Sequence, residues 1–226
     1  MKNKFYDYSL FPYLKTNTPK CFFDLDNRIA EKYKTLSKKM TSKERQLAEN
    51  ICRRVADIYF YNSLIEELIY NENKDKSARQ ISALLVGYLS SCKAFLDAVA
   101  ITITDIYKLP LKLPQQDLLK KKFQEKFAAK NQSRAATYKS FESFYKDVKN
   151  WRDVAIHRTS PFVIVEGKSS NIENDKIFLA SKLNVNFREL VLKGDENFTW
   201  HEPTYLHHKW EKDLLNLCEE ICKDVC

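Results

Sequence analysis

Glycine is scarce in this chain, with three residues in 226, and proline is little more frequent, with six. A β-sandwich or barrel turns sharply many times and draws on both residues to do so. Their scarcity argues against that class and for long helices. No run of about 18 consecutive apolar residues occurs, so no membrane-spanning helix is expected. The richest stretch, 81–106, is interrupted by Ser90, Ser91, Lys93 and Asp97. The N-terminal Met1-Lys-Asn-Lys-Phe-Tyr-Asp7 has no signal-peptide apolar core, and a cytoplasmic location is expected. Also missing is any C-x-x-C pair among the six cysteines Cys21, Cys52, Cys92, Cys218, Cys222 and Cys226. Several fall on helical apolar stripes and read as small buried hydrophobes rather than disulfide partners. Cys218, Cys222 and Cys226 recur every four residues on one helix face. A metal site there needs a fourth ligand from His207 or His208 that the spacing does not supply, so packing is the expectation, with no metal and no cofactor.

What the chain does contain suits one folded domain. It is 44% hydrophobic and 30% charged, rich enough in apolar residues to offset the entropy of ordering. Its net charge is +8. That balance suits a polyanionic partner, though net charge governs association rather than chemistry.

Residues 1–40 read as an aromatic, polar leader followed by a short helix from Asp24 to Leu36. Core helices are expected over 41–161. Thr41-x-x-Glu44 forms a capping box, and Leu47, Ile51, Val55, Ile58, Ile65 and Ile69 then keep helical spacing to about Asn71. Ser77-x-x-Gln80 looks like a second capping box. It opens a helix with apolar residues on two faces, including Ile81, Leu85, Tyr88, Phe95, Leu89 and Leu96, which is therefore expected to be central and to end at Pro110 and Pro114. A third helix is expected over Gln115 to Lys130, and a fourth from near Tyr138 or Ser140, with Phe141, Phe144, Val148, Trp151 and Ala155 inward and Pro161 as its stop. The period then becomes strand-like, over 162–166 and 176–181 with a further extended piece from Asn184 to Leu192, so 162–192 reads as a β insertion. A helix from about Tyr205 to Val225 closes the chain, within a C-terminal segment 203–226. The expected class is mainly α, an up-and-down bundle of four to five helices with a small inserted hairpin or sheet.

One segment departs from this apolar pattern: Asn150-Trp-Arg152-Asp153-Val-Ala-Ile-His157-Arg158. A polar cluster interrupts an apolar stripe there. Asp153 and His157 stand i,i+4 and Asn150 and His157 i,i+7, so each pair shares a face, with Arg158 directly following. Arg152 and His157 are about 140° apart on an ideal helix. To act on one phosphate, either the helix end distorts or a partner group comes from elsewhere. These residue types suit phosphodiester cleavage without a metal. Histidine, with its ordinary pKa of about 6.5, can take and return protons near neutrality, and arginine can brace developing negative charge on phosphorus. Asp153 is placed to orient the imidazole. RNA supplies its own nucleophile, the 2′-OH, which DNA lacks.

Arg152-Asp-Val-Ala-Ile-His157, near the end of a helix in a small bundle, resembles the R-x4–6-H motif of the HEPN superfamily (higher eukaryotes and prokaryotes nucleotide-binding). The helix Ala83-Leu-Leu-Val-Gly-Tyr-Leu-Ser-Ser-Cys-Lys-Ala-Phe-Leu-Asp97 is also similar, and the likeness covers about Thr41 to Cys226. The resemblance implies a metal-independent endoribonuclease of the kind met in toxin–antitoxin, abortive-infection and antiviral defence systems. It acts as a homodimer whose two motifs face one another in a composite cleft, with an antitoxin or another protein as a further partner. By motif match, Arg152 and His157 are catalytic and Asp153 is the polar neighbour; Asn150 and Arg158, from the polar cluster itself, are the expected supporting residues. Many HEPN-like domains instead serve as non-catalytic scaffolds that bind nucleic acid, nucleotide or protein.

Between Leu118 and Lys139, seven Lys and Arg residues stand against one Glu. Lys120, Lys121, Lys122, Lys126 and Lys130 could funnel RNA toward the motif, or simply form a solvated helix face. Phe123 and Phe127 in the same run read as its buried side. The plainer readings elsewhere are a helix-end His157 paired with Asp153, a surface Arg152 covering Trp151, and a structural or interface role for His201, His207 and His208. Under them the chain is a helical interaction protein.

Overall fold

The protein, in a computed structural model, is described over residues 42–70, 74–157, 163–166, 176–180 and 200–225, and is mainly helical with a bundle-like fold. The expected leader, the short helix from Asp24 to Leu36 and the extended piece from Asn184 to Leu192 lie outside the described residues.

Helix α1 (Ser42–Ile69) buries Ile51, Val55, Ile58 and Ile65 against α2 (Lys74–Ile106). The Tyr61 ring of α1 lies against Gly87 of α2, where a Cβ would stand 2.4 Å from Tyr61 Cε1, so any larger residue there requires the ring to shift. Apolar residues lie on more than one side of α2, and α1, α5, α6 and the sheet each pack against it. The segment Ser77–Ile106 is long and apolar enough by composition to cross a membrane, at mean hydropathy 1.6, yet more than half of its most apolar 18-residue window is buried inside the fold.

Ser77 does not cap α2. The helix begins three residues earlier, at Lys74, leaving Ser77 inside its first turns with Oγ buried and without a hydrogen-bond partner among the described residues. Nor do Pro110 and Pro114 end it. The chain leaves the helix at Ile106 through Lys108, whose φ of 49° is the left-handed turn usual for glycine, closed by Leu109 N–H donating to Thr104 O at 2.9 Å.

The third expected helix splits. A 3-10 turn occupies Leu113–Gln115, and Asp117 Oδ1 then accepts the Leu119 N–H at 2.9 Å, a side-chain turn that outcompetes the helix. Helix α3 (Lys121–Lys130) follows, with Phe123 and Phe127 buried. A short helix missing from the sequence reading comes next, α4 (Gln132–Lys139), capped by Asn131 Oδ1 accepting the Arg134 N–H at 3.0 Å. Ser140 thus ends α4 rather than opening the next helix, which is α5 (Glu142–His157).

Three short strands, β1 (Val163–Glu166), β2 (Lys176–Ala180) and β3 (Trp200–His201), pair antiparallel in that order, with Val163 opposite Leu179 and Leu179 opposite His201. Helix α6 (Tyr205–Val225) buries Leu206, Trp210, Leu214, Leu217 and Ile221. It runs parallel to α2, since Tyr88 meets His207 near its start and Tyr107 meets Asp224 near its end. Helix α5 packs beside it, with Asp147 accepting from Trp210 Nε1 at 2.8 Å and pairing with Lys209 at 2.6 Å.

Candidate functional site

Phe144, Val148, Trp151 and Ala155 form the buried stripe of α5, at alternating four- and three-residue steps. The polar cluster hangs from the rest of that helix. Arg152 follows Trp151 by one residue, about 100° around, and lies partly exposed on the flank of the stripe. Asp153 is a further 100° on, facing away from the core, and Asn150 is exposed. Arg152 Nη1 donates to Asp153 Oδ1 at 3.0 Å. The carboxylate expected to orient His157 therefore also holds the guanidinium, a charge-assisted bond between adjacent partly exposed groups. His157 is the last residue of α5, and its side chain and Arg158 lie outside the described residues. The helix continues unbroken to His157, so the backbone positions of Arg152 and His157 stay about 140° apart.

The five lysines do not form one stripe. Lys120 donates to Pro114 O, pinning the 3-10 turn. Lys121 lies 3.7 Å from Glu125. Lys122 and Lys126, four apart, share an exposed face, and Lys130 closes α3. Only Lys121 borders the groove of about 420 Å³ between α3, α4 and the start of α5. Phe123, Phe127, Tyr138 and Tyr145 floor that groove, each almost wholly covered, while Lys121 and Lys139 stand at its rim. Sequence spacing had not marked Lys139, and the groove exists only because α4 interrupts the helical run.

Two inter-helix polar networks were likewise not assembled from sequence. In the first, His207 is buried with its ring edge-on to Tyr59 at 4.9 Å, and the Tyr88 hydroxyl lies 3.3 Å from Nδ1. Burial first, and the neighbouring His208 second, bring His207 down to about 4, so it is neutral near pH 7. A neutral imidazole protonated at Nε2 satisfies both sides, accepting the Tyr88 proton at Nδ1 and facing Glu211 Oε1 at 3.8 Å. Tyr59 donates to the same Glu211 oxygen at 3.3 Å. His207 is thus buried in the core between Tyr59 of α1 and Tyr88 of α2. Cys92 and Cys218 are buried, and burial pushes the Cys92 thiol up to about 12, unreactive as a nucleophile.

In the second network Arg134 of α4 clasps the end of α6. It donates to Glu220 Oε2 at 2.6 Å, to Glu220 O at 2.9 Å and to Asp224 Oδ2 at 2.9 Å. Asp224 also accepts from Tyr138 at 2.7 Å and Tyr107 at 2.9 Å. Burial, with the Asp224 charge next, raises Tyr138, while the lysine and arginine bonds hold Glu220 below the usual carboxylate range. The only sequence trace of this clasp is the Asn131 cap, because its partners are 86 and 90 residues apart.

Fold and site together define a mainly α, bundle-like protein with a polar cluster at the C-terminal end of α5, a groove beside that helix and two partly buried inter-helix polar networks. Comparison with protein-family models, with curated proteins and with solved structures finds no match.

Proposed function

We propose that this protein is a HEPN-like, metal-independent endoribonuclease that cuts single-stranded RNA as a homodimer. Its fold is then an up-and-down bundle of four to five helices carrying an inserted hairpin or sheet over 162–192. The observation behind the two-chain site is the unbroken course of α5. With Arg152 and His157 about 140° apart on a regular helix, one chain does not present both to one phosphate, whereas facing copies of α5 can. His157 takes the proton from the ribose 2′-OH, the oxygen attacks phosphorus, and the 5′-oxygen leaves with a proton returned by the imidazole. The products are a 2′,3′-cyclic phosphate and a 5′-hydroxyl. Arg152 braces the charge that develops on the phosphoryl oxygens, and Asp153 sets its direction. Asn150 and Arg158 support the cluster.

The test is complementation. Arg152→Ala and His157→Ala should each abolish cleavage and leave the helical circular dichroism unchanged. Mixed in equal amounts and allowed to exchange subunits, they should recover about a quarter of wild-type activity, since half the dimers are mixed and each carries one intact composite site. Activity in His157→Ala equal to wild type refutes the mechanism, and no recovery on mixing refutes the two-chain site.

A second reading is favoured by the ion pair at 3.0 Å between Arg152 and Asp153, which occupies part of the guanidinium. On this reading the chain is a non-catalytic HEPN-like scaffold that binds nucleic acid, nucleotide or a protein partner through the same cluster. RNA bound in a salt-dependent way but never cut decides for it.

A further inference from the structure

Resting on the reading of this chain as an RNA-acting protein, we infer that the groove between α3, α4 and the flank of α5 seats the single-stranded RNA that flanks the cut linkage, with Lys139 and Lys149 contacting its phosphates. The placement follows from α5. Tyr145, Lys149 and Arg152 succeed one another at four- and three-residue steps, so they share one flank of the helix, about 6 Å and then about 5 Å apart along its axis. Tyr145 belongs to the groove floor and Arg152 to the polar cluster, so Lys149 bridges the two.

Charge is arranged accordingly. The two carboxylates bordering the groove are each held by a lysine, Glu125 by Lys121 at 3.7 Å and Glu142 by Lys146 at 2.6 Å. Lys139 is exposed at the rim, where its charge also acts on Glu142 at longer range, and Lys149 is partly exposed; among the described residues neither makes a direct ion-pair contact. The aromatic floor is already covered, with Phe123 and Phe127 only 2% exposed, so it offers no faces for bases to stack on. Recognition in this groove is therefore of the backbone and independent of base sequence. Of the five lysines picked out by sequence, Lys121 borders the groove, paired with Glu125, while Lys122 and Lys126 lie on the outer face of α3 and off this track.

Binding of a fluorescent 20-nucleotide oligouridine, measured by anisotropy across a salt series in the His157→Ala background, separates this inference from cleavage. The double variant Lys139→Gln/Lys149→Gln should flatten the slope of log affinity against log salt by about 1.4, and at physiological salt this is about a tenfold loss. Lys122→Gln/Lys126→Gln, which removes the same charge from the outer face, should cost less than half as much in slope. Equal losses from the two double variants, or no loss from the groove variant, overturn the inference even when wild-type protein cuts RNA. The expected difference in a protein that never cuts keeps the groove and removes the nuclease. A chain that binds no oligouridine overturns both.

Discussion

Substituting Gly87 by alanine tests the close approach of α2 to the Tyr61 ring of α1. A Cβ at this position stands 2.4 Å from Tyr61 Cε1 and 2.6 Å from Cζ, so the ring must retreat by at least 1.0 Å to regain the 3.4 Å of an ordinary contact. Overpacking of this kind costs about 1–3 kcal/mol. Against it stands helix propensity, since alanine in a helix interior is favoured over glycine by about 1 kcal/mol. Gly87→Ala should therefore destabilise the protein by about 1 kcal/mol, within a span of roughly 0–2. The discriminating step is the background. With Tyr61→Ala the obstructing ring is gone and only the propensity term remains, so Gly87→Ala should then stabilise by about 1 kcal/mol. Urea unfolding of the four members of this cycle, followed by far-ultraviolet circular dichroism, reads the change as a midpoint shift at constant m. Matching shifts in both backgrounds, within the roughly 0.5 kcal/mol expected of independent sites, would refute the account of why glycine stands here.

Acid should weaken the fold through His207. The unfolded histidine titrates near the ordinary 6.5 while the buried one is held at about 4, so between these values the unfolded state binds a proton that the folded state refuses. The stabilisation is full above pH 6.5 and is lost as pH falls toward 4, by up to about 3 kcal/mol. His207→Phe should flatten that part of the stability–pH curve, and unchanged curvature counts against the assignment. Arg134→Ala should cost roughly 2–4 kcal/mol, because it leaves the mostly covered Asp224 carboxylate without its cation and Glu220 with Lys223 alone. Arg134→Lys should restore only part of this, since one ammonium cannot reproduce the fork. Amide exchange in the last turns of α6 should quicken in both, and unchanged protection there would refute the clasp.

The long elements were legible because one period governs them. The four-and-three spacing of Ile51, Val55 and Ile58, and of Phe144, Val148 and Trp151, states which side of each helix faces inward, and the closing helix from Tyr205 to Val225 begins and ends where its apolar stripe does. Errors fell where a single side chain decides a boundary. Asp117 turns the chain before α3, Asn131 starts α4, and Ser77 lies inside α2 instead of capping it, because a short polar side chain can bond the backbone in several ways that spacing does not rank.

Local order along the chain thus settled the helical class, the inward faces and the Arg152–His157 interval, all of which depend on neighbours within two turns. Only the tertiary structure decided that α3 and α4 open a groove beside the start of α5, that His207 is a neutral core histidine, and that Arg134 closes on a helix 86 residues away. These depend on which helices lie side by side. A histidine reads the same in sequence whether water or Tyr59 and Tyr88 surround it, and burial is what moves its proton.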